Sequence, residues 1–243
     1  EKIRRSGART MLWKLHTENT TKELWQKCCR TADDLGDTVR HINDPRGWLN
    51  CHAKDKAFEA WRYNGIPVPN WFTFSNTKDF WKARTFDFPM LVRLNNSTSG
   101  AHSFLVRNKE ECEGALKKLE RCRSVGHDGS ASTGVDQTFM GVQFIPTTRV
   151  EGYNMSFRII VAGDKVVTGY ARLGPVNDWI AITNRFEPGM ERAFVKYQKM
   201  CQTFCEQHAR TLVRSVKSLG LNFQGARERR AHMGQEADDK PQD

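Results

Sequence analysis

Phe88-Pro89-Met90-Leu91-Val92-Arg93-Leu94-Asn95-Asn96-Ser97-Thr98-Ser99-Gly100-Ala101-His102-Ser103-Phe104 is the stretch whose reading decides the fold. Met90 to Leu94 is a short apolar run bounded by Pro89 and Asn95-Asn96, so it predicts a buried strand with Arg93 inside it. A cation buried among apolar side chains calls for an anion. The loop that follows, Asn95 to Ser103, offers hydroxyls and close-approaching backbone N–H groups, the chemistry with which glycine-rich loops cradle phosphates. Strand, cation and loop together suggest a nucleoside triphosphate, although a Ser/Thr/Gly/Asn cluster between two strands also serves as a plain solvated hairpin.

The neighbouring segments decide between these readings. Upstream stand Ile42-Asn43-Asp44-Pro45, then Lys54-Asp55-Lys56 opening a helical stretch to Tyr63, and Gly65-Ile66-Pro67-Val68-Pro69 leading into a strand. Downstream come the apolar segment Phe139 to Pro146 and a hairpin from Phe157 to Arg172, turned at Ala162-Gly163-Asp164-Lys165. In this order, over about residues 40 to 225, the chain resembles the ATP-grasp superfamily. The resemblance is strongest to the RimK-like branch, which contains the glutamate ligase that modifies a ribosomal protein, and to the ATP-binding domain of glutathione synthetase.

The resemblance implies an α+β fold with two lobes and partly antiparallel sheets enclosing a nucleotide cleft. It also implies a carboxylate–amine ligase: ATP transfers its γ-phosphate to a carboxylate, and an amine then displaces phosphate from the acyl phosphate. Such catalysis is mostly positioning and charge neutralisation. Arg93 matches the family lysine that reaches the α- and β-phosphates from a strand, and Lys56 matches a second phosphate cation. Ser97, Thr98, Ser99, Gly100 and His102 match the phosphate-covering loop. Gln143, Phe144 and Ile145 match the hinge segment that reads adenine, with Gln143 in place of the usual glutamate. Arg158 and Arg172 match arginines facing the triphosphate or the substrate carboxylate, Ser156 stands where an aspartate is common, and Asn184 matches an asparagine of a phosphate-adjacent loop. Each cation has a plainer reading as well, Lys56 as an exposed helical lysine and the two arginines as solvent-face strand residues.

Composition is consistent with a folded chain: 243 residues with 38% hydrophobic content suffice for one sizeable or two small cores. A formal net charge of +10 implies an anionic partner without choosing which. Neither a run of about 18 apolar residues nor a signal-like N-terminus is present, so a cytoplasmic protein is expected. Seven cysteines, with no Cys-x-x-Cys pair, predict reduced thiols. Cys201, Cys205 and His208 share one face of an expected helix, where packing is favoured over zinc.

Three regions are expected: residues 1–50 as the remnant of a preceding domain, 51–225 as the ATP-grasp domain, and 226–243 as a disordered tail free of aromatic and β-branched residues. Within the body, the small lobe is expected near 67–125 and the large lobe near 140–225, with helices over Thr21 to Leu35 and Lys109 to Cys122 and a mobile loop over Ser124 to Thr133. The main departure from the family lies after Gly225. There the family continues with strands whose aspartate, glutamate and asparagine hold Mg2+ between the phosphates, whereas here Ala226-Arg227 begins a charged tail. A fragment, a frameshifted product or a degenerate enzyme would each give this pattern, and each makes turnover by this chain doubtful. Two further functions stay open: a non-catalytic nucleotide-binding protein derived from the ligase fold, and a basic nucleic-acid-binding module. The nucleic-acid module is disfavoured because Trp48, Trp61, Trp71 and Trp81 lie in apolar segments expected to be core. The expected partners are ATP and a carboxylate-bearing small molecule or peptide.

Overall fold

The computed structural model describes residues 6–15, 20–97, 102–123, 138–146, 152–175 and 188–228. The chain begins with strand β1 (Thr10–Leu12), helix α1 (Lys22–Leu35) and strand β2 (Arg40–Ile42), the two strands pairing in parallel. A parallel pair needs a crossover, and α1 supplies it. The helix starts where Thr21 Oγ1 accepts the Leu24 N–H (3.2 Å) and stops at Gly36, whose φ of 52° lets its N–H close back on the carbonyls of Ala32 and Asp33.

Helix α2 (Lys54–Tyr63) leads into a four-stranded antiparallel sheet of order β3-β6-β4-β5, made of β3 (Trp71–Phe74), β4 (Met90–Leu94), β5 (Ser103–Val106) and β6 (Phe139–Gln143). One face of this sheet packs Phe72, Phe74, Met90, Val92, Leu94 and Phe139 against Phe80 of the short helix α3 (Phe80–Ala83) and against Cys112, Ala115, Leu116 and Leu119 of α4 (Lys109–Arg123). The opposite face buries Leu91, Met140 and Val142 with Phe58 of α2, Trp71, Leu105 and Phe144. Burial on both faces is why Met90 to Leu94 reads as a continuous apolar run rather than an alternating one. The strand and both helices lie within a residue of their sequence-derived bounds.

A second antiparallel sheet, of order β8-β7-β9, is formed by β7 (Tyr153–Ala162), β8 (Lys165–Pro175) and β9 (Phe223–Glu228). The 27-residue helix α5 (Glu191–Lys217) covers one face, where Met155, Phe157, Ile159, Val161, Ala171 and Leu173 meet Ala193, Tyr197, Cys201, Leu212 and Val216. Residues of β7 alternate, so Asn154, Ser156 and Arg158 take the other face. β9 runs three residues past Gly225, where the sequence suggested a disordered tail. The free edge of β7 supplies the ladder hydrogen bonds that local composition could not reveal.

Long-range polar contacts tie these parts together. The Trp61 Nε1–H of α2 donates to the Ser215 carbonyl of α5 (2.8 Å). Asn43, just beyond β2, donates its N–H to Asn222 Oδ1 (2.7 Å) and accepts from the Phe223 N–H (2.9 Å), clipping the N-terminal β–α–β unit to the entry of β9. Gly47 permits the neighbouring close approach, since a Cβ there would stand 2.7 Å from the Gly220 carbonyl oxygen. Among the described residues no helix is long and apolar enough to cross a membrane.

Candidate functional site

Arg93 lies on β4 in register with Met140 of β6 and Ser103 of β5. It therefore shares the α2-covered face of the first sheet with Leu91, Met140 and Val142. Its guanidinium is half-buried, with Nε–H donating to the Leu94 carbonyl (3.0 Å) and an Nη2 hydrogen to Ser97 Oγ (2.9 Å), while the Ser97 carbonyl accepts as well. Where the sequence called for an anion, the guanidinium meets neutral carbonyl and hydroxyl oxygens of the turn that opens the loop. Ser97 itself is buried, and its hydroxyl donates onward to Leu94. His102 closes the loop at φ 50°, a left-handed conformation in which a non-glycine residue is uncommon. Thr98, Ser99 and Gly100 lie outside the described residues, as does Asn184.

Lys56 stands in the first turn of α2, half-exposed, its Nζ 3.0 Å from Glu59 Oε2. What joins this turn to Arg93's strand is Asn95, which sequence reading took as the strand's boundary and the start of the loop. Asn95 Oδ1 accepts the N–H groups of Lys54 (2.9 Å) and Asp55 (3.1 Å), and Nδ2 donates to Asp55 Oδ1 (2.7 Å) and Thr138 Oγ1 (2.9 Å). Its partners lie about 40 residues away on either side, so no local pattern announces them.

At the other end of β4's neighbour, Gln143 is exposed, gives its N–H to the Asn70 carbonyl (2.8 Å) and accepts the Asn70 N–H on Oε1 (3.2 Å). Phe144 and Ile145 follow half-buried, and Phe144 packs on the Leu91–Val142 face. The segment therefore lies on the same face as Arg93, beyond the opposite end of the strands.

Arg158 and Arg172 fall on adjacent strands: Ser156 pairs with Arg172, and Arg158 with Tyr170. Both arginines thus rise from the sheet face that α5 leaves uncovered, beside the buried Asn154 and Ser156. Burial pushes the Arg172 guanidinium below its ordinary value, and Arg158 pushes the same way, while Tyr170 opposes them. Two clustered cations at a partly desolvated surface favour an anion between them. The backbone of β9 runs alongside, with Arg227 in register with Arg158.

The magnesium that the resemblance implies needs several oxygen donors around one point. On this face the described donors are the neutral oxygens of Asn154 and Ser156, flanked by arginines. Among the described residues no three His, Cys, Asp or Glu side chains converge. The donor set suits an anion and does not suit a divalent cation. Cys201 and Cys205 sit over Gly169, where a Cβ would come within 2.9 Å of either sulfur. Burial drives the Cys201 thiol up to about 12. Of the tryptophans expected in the core, Trp48 is buried but Trp81 is 40% exposed, with Arg84 and Lys109 over its ring at 5.5 and 5.7 Å.

The two antiparallel sheets, each with its helical cover, form the α+β ATP-grasp fold. Superposition supports this on D-Ala:D-Ser ligase VanG from Enterococcus faecalis, with a TM-score of 0.50 at 15% identity, covering 90% of this chain and 59% of that one. In sequence, the chain is 24% identical over 147 residues to N-acetylaspartylglutamate synthase A of Mus musculus, covering 59% of this chain and 33% of the relative. It is also 32% identical over 74 residues to human beta-citrylglutamate synthase B, covering 29% of this chain and 19% of the relative. The chain therefore spans a third or less of the length of these curated relatives. No sequence-family model matches it.

Proposed function

We propose that this chain is the nucleotide-binding part of an ATP-dependent carboxylate–amine ligase. The observation that carries the reading is the placement of Arg93: a half-buried cation at the end of a central strand, on a sheet face whose other end is the apolar Leu91–Val142–Phe144 surface. An adenosine triphosphate has the same polarity, an apolar planar base at one end and a polyanion at the other. In this reading the backbone of Gln143 to Ile145 takes the adenine edge, Arg93 and Lys56 take the α- and β-phosphates with the Ser97–His102 loop, and Arg158 and Arg172 hold the γ-phosphate or the incoming carboxylate, with Asn184 beside them. A carboxylate oxygen attacks the γ-phosphorus and ADP leaves; an amine then attacks the acyl carbon and inorganic phosphate leaves. The names of the sequence relatives suggest an acidic, carboxylate-rich substrate.

The test is binding. Arg93→Ala weakens ATP binding by about 1.5 to 3 kcal/mol, the scale of a charge-assisted hydrogen bond, and leaves adenosine binding nearly unchanged. An equal loss for both ligands identifies a folding defect, and no loss for either removes Arg93 from the site. A second reading, a nucleotide-binding protein without turnover, is favoured by the cationic donor set around Arg158. Phosphate release in the presence of ATP, Mg2+, carboxylate and amine separates it from the first.

A further inference from the structure

Resting on the nucleotide reading above, we infer that Asn95 is a positioning residue that sets the separation of the two phosphate-side cations, Arg93 on β4 and Lys56 on α2. Asn95 is 1% exposed, and every hydrogen-bonding site of its amide is used: two N–H groups of α2 on Oδ1, and Asp55 and Thr138 on Nδ2. Its backbone is held too, the N–H by the Thr138 carbonyl (2.9 Å) and the carbonyl by the Lys54 N–H (3.2 Å).

The need for Asn95 comes from α2 itself. Ala53 occupies the N-cap and has no side chain to cap with, so the first N–H groups of the helix would be orphaned. A serine or aspartate at position 53 would satisfy them locally, as most helices do. Such a cap would leave the helix unattached to the sheet. Asn95 instead caps from 40 residues away, so the same bonds that finish the helix also lock its first turn to the end of β4. Arg93 lies two residues before Asn95 and Lys56 one residue after Asp55, so the amide fixes the distance over which both cations reach. Neither serine nor aspartate makes this set of bonds. Serine has one donor, and aspartate offers no donor and would place a carboxylate against Asp55.

The experiment measures ATP affinity, adenosine affinity and thermal midpoint on the full chain. Asn95→Ala weakens ATP about tenfold and changes adenosine less than about twofold, as expected when a linkage between charged contacts is lost. Adding Ala53→Ser to that variant restores a local cap and recovers the thermal midpoint, while ATP stays weak. The inference is overturned if Ala53→Ser recovers ATP affinity along with stability, if Asn95→Ala binds ATP like the parent, or if both ligands weaken in proportion. Should Asn95→Ala fail to fold, the exchange Asn95→Asp with Asp55→Asn decides. Asn95→Asp alone loses ATP affinity, and the double exchange, which restores an amide–carboxylate bond between the positions, regains most of it; a failure to regain it overturns the inference. A parent chain that binds no ATP refutes the nucleotide reading itself, and that result is seen before any variant is compared.

Discussion

The first sheet is covered on both faces, by α4 on one and by α2 with Trp71 and Phe144 on the other, whereas the second is covered by α5 on one face and carries Asn154, Ser156, Arg158 and Arg172 on the other. In the first, the charged group sits at a strand end and is satisfied by its own turn. In the second, two cations sit mid-strand on the face that α5 does not cover, and burial lowers the Arg172 guanidinium, with Arg158 acting the same way. The contrast separates a sheet packed against apolar layers on both faces from one that gathers polar and cationic side chains on a single face.

The sharpest way to break this contrast is at the glycine that each sheet places under a packing layer. A Cβ at Gly141 would stand 2.3 Å from the Phe72 ring, which is itself wedged among Phe74, Phe80 and Phe86. Gly141→Ala should therefore destabilise by about 1–3 kcal/mol in denaturant titration. At Gly169 the obstructing atoms are the ends of two cysteine side chains, 2.7 and 2.9 Å away. Gly169→Ala should cost less, and combining it with Cys205→Ala should recover part of the loss. Equal costs for the two glycines would mean that the first sheet is no stiffer than the second.

A smaller effect tests the arginine pair. Arg172→Met keeps length and removes a cation that burial disfavours, so stability should stay within about 1 kcal/mol of the parent or rise. Affinity for an anionic ligand should fall in the same variant. A large loss of stability would show that the arginine pair belongs to the fold instead of the site.

The smallest effect is in pH. Burial drives the thiols of Cys112 and Cys201, one beneath each sheet, up to about 12 from an ordinary value of 9.0. Both folded values lie above the unfolded one, so this contribution is complete below pH 9 and declines as pH rises toward 12, because only the unfolded chain ionises there. Cys201→Ala should flatten the alkaline fall of the thermal midpoint between pH 9 and 11. An unchanged slope would show that the thiol ionises equally in both states.

Local pattern was enough for several of the elements. Pro89 and Asn95 bracket β4, Thr21 and Gly36 bracket α1, and the alternation along β7 separates a helix-facing set from a polar one, because these signals act over a few residues. The half-burial of Arg93 was also legible, since a charge inside an apolar run stands out in any context. What only the tertiary structure decided is which groups meet: the oxygens of Leu94 and Ser97 that receive Arg93, the Asn43–Asn222 clip, the pairing of β9 beyond Gly225, and Asn95's hold on α2 and Thr138. The physical reason is that an asparagine reads the same at a loop boundary and at a fully satisfied buried junction. The difference lies in partners brought within hydrogen-bond reach by sheet register and helix docking, and these depend on the whole chain.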